Sequence, residues 1–415
     1  MSTRQFDLIL WGATGFTGQL VAEHLIQHYG VDGELKWAIA GRDQQKLETI
    51  RQQLVTTLPA AALPILLADS TDQNSLLALT ARTSVIATTV GPYALYGSKL
   101  VAACARNGTH YCDLTGEVPW MAEMIATHQT TAENSGARIV HTCGFDSIPS
   151  DLGTWYLQQE MLKQHGVPAV QVKGRIGRNR GTVSGGTVAS LMAMLEQAGE
   201  DSSVRKTLRN PYALYPADLA PGDDDTDSLG AHFDKDFKQW TSPFIMASVN
   251  TRVVRRSNAL LGLPWGEKFR YDESLLSGSA FRASRNVIAN SAGMMALAAP
   301  PSRKIAQRFL PKPGDGPSRE QREAGYYEIF LHGKHPESAT HDLRLRFSGD
   351  RDPGYGSTAR MFAEAAVCLA KDQLTAAGGC WTPAAALGEK LVTRLQQRAG
   401  IRFELVDPQG APKRT

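Results

Sequence analysis

The sequence predicts an α/β protein: a doubly wound parallel sheet over residues 1–150, then an α+β domain containing a mixed sheet. Three observations predict it. Strand-like and helix-like segments alternate through the first 150 residues with short joints between them. The first of those joints is glycine-rich, WGATGFTG, directly after the apolar run FDLIL. Beyond residue 151 the alternation gives way to longer helices and to paired segments whose apolar and polar residues alternate.

In the first part, FDLILWG reads as a buried strand, a short apolar run ending at glycine. GFTGQLVAEHLIQHYG follows as a helix, with Leu20, Val21, His24, Leu25 and His28 at helical spacing and Gly30 as the stop. His24 and His28 read as packed structural residues. KWAIAGR is the second strand, and DQQKLETIRQQLVTTL a polar-faced helix that Asp43 is placed to cap. LPILLADST supplies the third strand and residues 72–82 the next helix. SVIATTVGPY is the fourth strand, ending in a Gly-Pro turn before the helix SKLVAACARNG. HYCDLTGE and ARIVHTCGFD each add a short strand. Strands separated by helices of this length make a Rossmann-type sheet.

The second part divides into an α+β unit over 151–350, for substrate binding or dimerisation, and a helical segment over 351–415 that packs back on both domains. DLGTWYLQQEMLKQHG is a helix leading into the strand VQVKGRIGR, and GGTVASLMAMLEQAG is another helix. Residues 201–260 read as irregular, with PGDDDTD as a solvated turn. YYEIFLHGK and HDLRLRFSG form an antiparallel hairpin by their alternation. PPSRKIAQRFLPKPGDGP is the linker candidate. STARMFAEAAVCLAKD and residues 382–398 are helices.

Composition narrows the function classes. Of 415 residues, 42% are hydrophobic and 20% charged, ordinary values for a folded protein. The net charge is only +3 and no basic stretch interleaves with aromatics, so no nucleic-acid partner is expected. The 5 cysteines form no C-x-x-C pair, which argues against disulfides and against a metal site and fits a reducing compartment. Only MSTRQ precedes the first strand, leaving no room for a signal peptide, and a cytoplasmic protein is the expectation. The longest apolar stretches are about half of a membrane span. NALLGLPWGEKFR and RNVIANSAGMMALAAPPSRK mix apolar runs with Arg and Lys, as a peripheral membrane contact would, although a core helix with exposed ends is the preferred reading. A homodimer also stays open.

The glycine joint carries chemistry. A phosphate-binding turn needs close backbone approach and N–H groups at a helix start aimed at the anion. Gly12 and Gly15 supply the turn, Gly18 lets the helix pack on the strand, and Thr14 and Thr17 flank Phe16 with hydroxyl donors. At the end of the second strand, where an acidic residue would hold the ribose of NAD, stand Gly41 and Arg42. A guanidinium there suits the 2′-phosphate of NADP, so NADP is expected over NAD. Asp69 and Ser70, closing the third strand, fall near the adenine. Val90, Gly91 and Pro92 close the fourth strand on the nicotinamide side.

A short-chain dehydrogenase needs a tyrosine with a lysine four residues on, and no tyrosine here has one; Tyr96 and Lys99 are three apart. WGATGFTG, AIAGR, TTVGPYALYG, HYCDLTGE, CGFDSIPSDLG and GGCWTPAAALGEKLVTRL instead resemble, in content and order, the saccharopine dehydrogenase-like oxidoreductases. The likeness is nearest to the branch containing the trans-acting enoyl reductases. It implies an NADP-carrying Rossmann domain, a second domain closing over the substrate, and reduction of a C=C bond in an enoyl or polyketide-type lipid intermediate. Reduction of an imine, or an NADP-binding regulator without catalysis, are the alternatives. True saccharopine reductases carry G-x-D-P-G-x-D where this chain has Gly144 to Asp151. This departure speaks against an amino-acid substrate.

The acid of the reaction has four candidates at strand ends: Tyr93, Tyr96, Asp113 and Asp146. For either tyrosine a wall for the nicotinamide is the preferred reading, and each aspartate also suits a cap. Cys143 reads as a small buried residue, and His141 as a structural one.

Overall fold

Seven short apolar runs assemble into one parallel sheet because each is followed by a helix that carries the chain back across a face. The computed structural model describes residues 4–31, 33–57, 63–182, 184–224, 227–298 and 316–407. The chain starts β1 (Phe6–Trp11), α1 (Phe16–Tyr29), β2 (Trp37–Gly41), α2 (Gln44–Thr57), β3 (Ile65–Leu67), α3 (Gln73–Thr80) and β4 (Thr83–Thr88). It continues α4 (Tyr93–Tyr96), α5 (Ser98–Asn107), β5 (His110–Cys112), α6 (Val118–Ser135) and β6 (Arg138–Val140). The strand order β3-β2-β1-β4-β5-β6 is that of a doubly wound nucleotide-binding fold, extended beyond β6 by β13 (Gly379–Trp381).

The second half runs α7 (Ile148–His165), β7 (Gln171–Arg180), α8 (Gly185–Glu200), α9 (Ser202–Arg209), β8 (His232–Asp234) and β9 (Gln239–Pro243). Then come α10 (Ala247–Leu260), β10 (Arg270–Gly278), α11 (Ala280–Ala298), α12 (Arg319–Glu323), β11 (Tyr326–Lys334) and β12 (Leu343–Gly349). The chain closes with α13 (Thr358–Lys371), α14 (Pro383–Arg394) and β14 (Ile401–Val406) around β13. Its sheet is mixed, in the order β14-β12-β11-β7-β10-β9-β8, with β7 and β10 parallel and the other pairs antiparallel. The predicted hairpin is β11–β12, in register from Tyr327 opposite Gly349 to Gly333 opposite Leu343.

Three local expectations need correction. Residues 201–260, read as irregular, hold two helices and two strands, and α10 is buried along nearly its whole length. Its sequence ASVNTRVVRRSNAL hides this because Arg252, Arg255 and Arg256 are themselves buried. Arg252 pairs with Asp227, Arg255 with Asp224, and Arg256 donates to the carbonyls of Leu214 and Cys380. The C-terminal segment, read as helical, also adds β13 to the first sheet and β14 to the second. Finally, α6 had no counterpart in the pattern reading. The linker candidate at 300–317 lies, except for its last two residues, outside the described residues.

One apolar core joins the two sheets, running from Leu8, Leu10 and Ile39 through α7 and α13 to Leu345 and Phe347. Glu364, fully buried on α13, accepts from His24 Nε2 at 2.8 Å and from the Tyr29 hydroxyl at 2.7 Å. The histidine on the inner face of α1 is therefore a packing residue. Around this shared core, the segments leaving β4, β5 and β6 meet α8 at Ser190 and Thr187.

Candidate functional site

The glycine turn is shaped by what a side chain would strike. Gly12 has φ +93, and a Cβ there would lie 2.6 Å from Val90 Cγ2 and 2.8 Å from Thr89 Oγ1. A Cβ on Gly18 would sit 2.2 Å from the Gly12 carbonyl oxygen, so α1 packs on its own turn only through glycine. Gly15 is different. It is exposed, and the nearest atom to its Cβ would be 3.4 Å away, so no protein contact requires glycine there. Its bare backbone keeps the approach to the start of α1 clear, and that helix has no side-chain cap. Uncapped N–H groups at the positive end of a helix dipole, beside a turn with no side chain in the way, fit a dinucleotide pyrophosphate. Phe16 turns away from this approach, with its ring 4.9 Å edge-on from Tyr355.

Next along the sheet edge, Arg42 stands exposed at the end of β2. Asp69 closes β3, and its carboxylate accepts from the Thr71 amide at 2.8 Å and the Thr71 hydroxyl at 2.7 Å, forming a turn. These bonds, with the charges of Arg42 and Lys99, hold its carboxyl below the ordinary range. Arg42, Asp69 and Ser70 are thus gathered at one corner. At the opposite end of the turn lie Val90, Gly91 and Pro92, the Gly91–Pro92 peptide being cis. Val90 N is fixed by Thr88 Oγ1 at 3.2 Å, and Thr89 Oγ1 donates to the Gly12 carbonyl at 3.2 Å, tying the two strand ends together.

The four candidate acids fare differently. Tyr93 is buried. Its hydroxyl donates to the Thr88 carbonyl at 3.3 Å and accepts from Leu114 N at 3.1 Å, while burial holds its phenol well above the usual range. Asp113 is fully buried, accepting from His141 Nδ1 at 2.7 Å and from the amides of Thr142 and Thr115. Both are braces between strand ends. Tyr96 is exposed on α4. Asp146, after β6, meets Thr187 Oγ1 at 3.4 Å, a long contact, and desolvation pushes its carboxyl up to about 6. It is the under-bonded carboxyl at this sheet edge. Its neighbour in sequence, Asp151, also pushed up to about 7 by burial, is well held by Ser257 and the Ala384 amide.

Pattern reading missed the residues that tie α8 to this edge. Glu117, buried between β5 and α6, accepts from the amides of Tyr93 and Ala94 at 2.8 Å each and from Ser190 Oγ on α8 at 2.6 Å. Burial pushes its carboxyl up, and these donors oppose that. Tyr355 accepts from Gly185 N at 2.9 Å, and Asp352 accepts from Thr182 N and Tyr355 N. The run HYCDLTGE contained Glu117, but nothing local marks it as a brace. Among the described residues, no cluster of three or more His, Cys, Asp or Glu is placed to hold a metal ion.

A profile of the saccharopine dehydrogenase NADP-binding domain matches residues 8–140. A Mycobacterium tuberculosis protein, provisionally named a trans-acting enoyl reductase, is 40% identical over 97% of both chains. The chain belongs to the saccharopine dehydrogenase-like oxidoreductases. Within this family, a Mycobacterium bovis protein named trans-acting enoyl reductase is 37% identical, covering 94% of this chain and 96% of that one. The apo saccharopine dehydrogenase (L-Glu forming) of Saccharomyces cerevisiae matches with a TM-score of 0.53 at 12% identity, over 96% of this chain and 99% of that one, a likeness of fold alone. This saccharopine dehydrogenase-like chain is an NADP-dependent oxidoreductase. No described helix is long and apolar enough to cross a membrane.

Proposed function

We propose that this oxidoreductase reduces the C=C bond of an enoyl-type acyl substrate with NADPH. The observation that carries the reading is Asp146, a half-buried and nearly unbonded carboxyl at the strand edge that also carries the glycine turn. The division of labour follows: residues 1–150 hold the cofactor, and 151–350 complete the substrate side. Backbone at Gly12, Thr14, Gly15, Phe16, Thr17 and Gly18 cradles the pyrophosphate. Gly41 and Arg42 take the 2′-phosphate, Asp69 and Ser70 border the adenine, and Val90, Gly91 and Pro92 wall the nicotinamide.

When bound, NADPH supplies the hydride. Asp146 then gives its proton to the carbon beside the activating carbonyl and is reprotonated from solvent. A carboxyl raised to about 6 is a strong enough acid to donate and is still partly protonated near neutral pH. The names of the relatives at 37–40% identity support the same bond type. The test is loss of NADPH absorbance with a 2-enoyl thioester, run beside a cyclic imine. Turnover with the thioester and not the imine is the expected result; turnover with the imine alone overturns the reading.

A further inference from the structure

α11 leaves an apolar stripe uncovered. It is an uninterrupted 19-residue helix, about 28 Å long at 1.5 Å per residue. Its inner side meets the protein through Ala283 and the half-buried Asn286, and from Ile288 to Met295 the helix is exposed on every side. Asn286 Nδ2 reaches Ser242 Oγ and Ser277 Oγ at 3.4 Å each, and Asn290 Nδ2 reaches the Pro243 carbonyl at 3.4 Å, with Ala283 buried alongside. The opposite face carries Phe281, Ile288 and Met295, which are 77%, 69% and 70% exposed. Seven-residue spacing returns almost to the same side of a helix, so the three form one stripe along its length. Ordinary surface helices do the reverse. Two more exposed apolar residues, Phe233 and Ile245, lie on or beside the β8–β9 hairpin against which α11 packs.

Charge and continuity indicate what covers the stripe. α11 holds Arg282 and Arg285 near its start and no acidic residue anywhere, so the outward face favours anionic neighbours. The helix also packs on α8, whose Leu191, Met192, Met194 and Leu195 are half-exposed and whose Ser190 stands at Glu117 beside the proposed nicotinamide wall. Apolar surface therefore runs from the reaction edge, along α8, to α11.

We infer that α11 seats this enzyme on an anionic lipid surface. The helix lies flat, with Phe281, Ile288 and Met295 in the acyl boundary and Arg282 and Arg285 at the headgroups. An acyl substrate too apolar to diffuse in water would then enter along α8. This last step rests on the function proposed above; the membrane contact itself does not.

The experiment is co-sedimentation of the full chain with vesicles of phosphatidylcholine, with and without phosphatidylglycerol. The variants are Phe281→Ser/Ile288→Ser/Met295→Ser and Arg282→Glu/Arg285→Glu, all exposed positions, with folding checked by thermal melting. The wild-type chain is expected to pellet with the anionic vesicles, and each variant to bind at least about tenfold more weakly. No binding by the wild type, or equal binding by the triple variant, overturns the proposal. So does a dimer in sedimentation velocity that the triple variant dissolves while vesicles capture nothing, which assigns the stripe to a second copy. NADPH titration of the same samples separates this result from a failure of the cofactor assignment.

Discussion

Two helices start beside the same cleft and treat their first turns in opposite ways. α8 satisfies its own: Ser184 accepts from Thr187 N, and Gly185 N donates to the Tyr355 hydroxyl. α1 begins at Gly15 with no side-chain cap, behind glycines that keep its approach clear. Both ends carry the partial positive charge of a helix dipole and N–H groups without intrahelical partners. The difference assigns the helices separate tasks. α8 is a capped wall that reaches the cleft through Thr187 and Ser190, whereas α1 leaves its first N–H groups without a side-chain cap, as the proposed pyrophosphate site requires.

Five substitutions break or sharpen that contrast. The largest effect is expected from Gly18→Ala, since the new methyl would lie 2.2 Å from the Gly12 oxygen. Overpacking of this kind costs about 1–3 kcal/mol, enough to weaken NADPH about 100-fold by displacing the turn and to lower the melting temperature. Gly15→Ala, with no atom nearer than 3.4 Å, should weaken NADPH while leaving melting unchanged. Calorimetric titration beside thermal melting reads both; intact binding in the Gly18 variant would refute the close-packed turn.

Asp146→Asn comes next, with kcat down about 100-fold if the carboxyl is the acid. The sign of its pH dependence follows from a value raised to about 6: the protonated fraction falls as pH rises above it. Wild-type kcat should therefore decline on the alkaline side, and the Asn variant should lose that limb. A purely structural Asp146 would leave the profile's shape unchanged. The same raised carboxyl makes the folded state more favourable below about pH 4 than above 6, so removing it should lessen the loss of stability across that window.

Arg42→Asp is expected to cost NADPH about 30-fold in affinity, the worth of a charge-assisted phosphate contact, and to leave NADH unharmed. An unchanged preference would place the 2′-phosphate elsewhere. The smallest effect belongs to Ser184→Ala, which removes the cap of α8. It should cost about 1 kcal/mol of stability and leave the NADPH dissociation constant unaltered. A shift in that constant would mean α8 also meets the cofactor's charge.

The acid candidates show how far pattern reading reaches. Tyr93, Tyr96, Asp113 and Asp146 all occupy strand ends, where ligands of such sheets bind, and their spacing does not distinguish them. Burial does. Tyr93 and Asp113 are committed to braces across β4, β5 and β6, Tyr96 is on the surface, and Asp146 is left with one long contact. Likewise α10 was hidden because its buried arginines find carbonyls and carboxylates far along the chain, which no periodicity records.

By itself, the sequence determined the order β1-turn-α1, the glycine turn between them and the β11–β12 hairpin, and it is the source of the proposals that this turn holds phosphate and that Arg42 favours NADP. Each rests on neighbours in the chain: strand and helix periods, a stop at glycine, or a turn where a Cβ has no room. Only the tertiary structure decided that Glu117 braces Tyr93 and Ser190, across separations of 24 and 73 residues, and that β13 and β14 complete the two sheets. It alone left the apolar stripe of α11 exposed. A helix's pattern defines its two faces, but which of them is covered depends on the surface it meets, and here β9 and β10 meet α11 through Ser242, Ser277 and the Pro243 carbonyl.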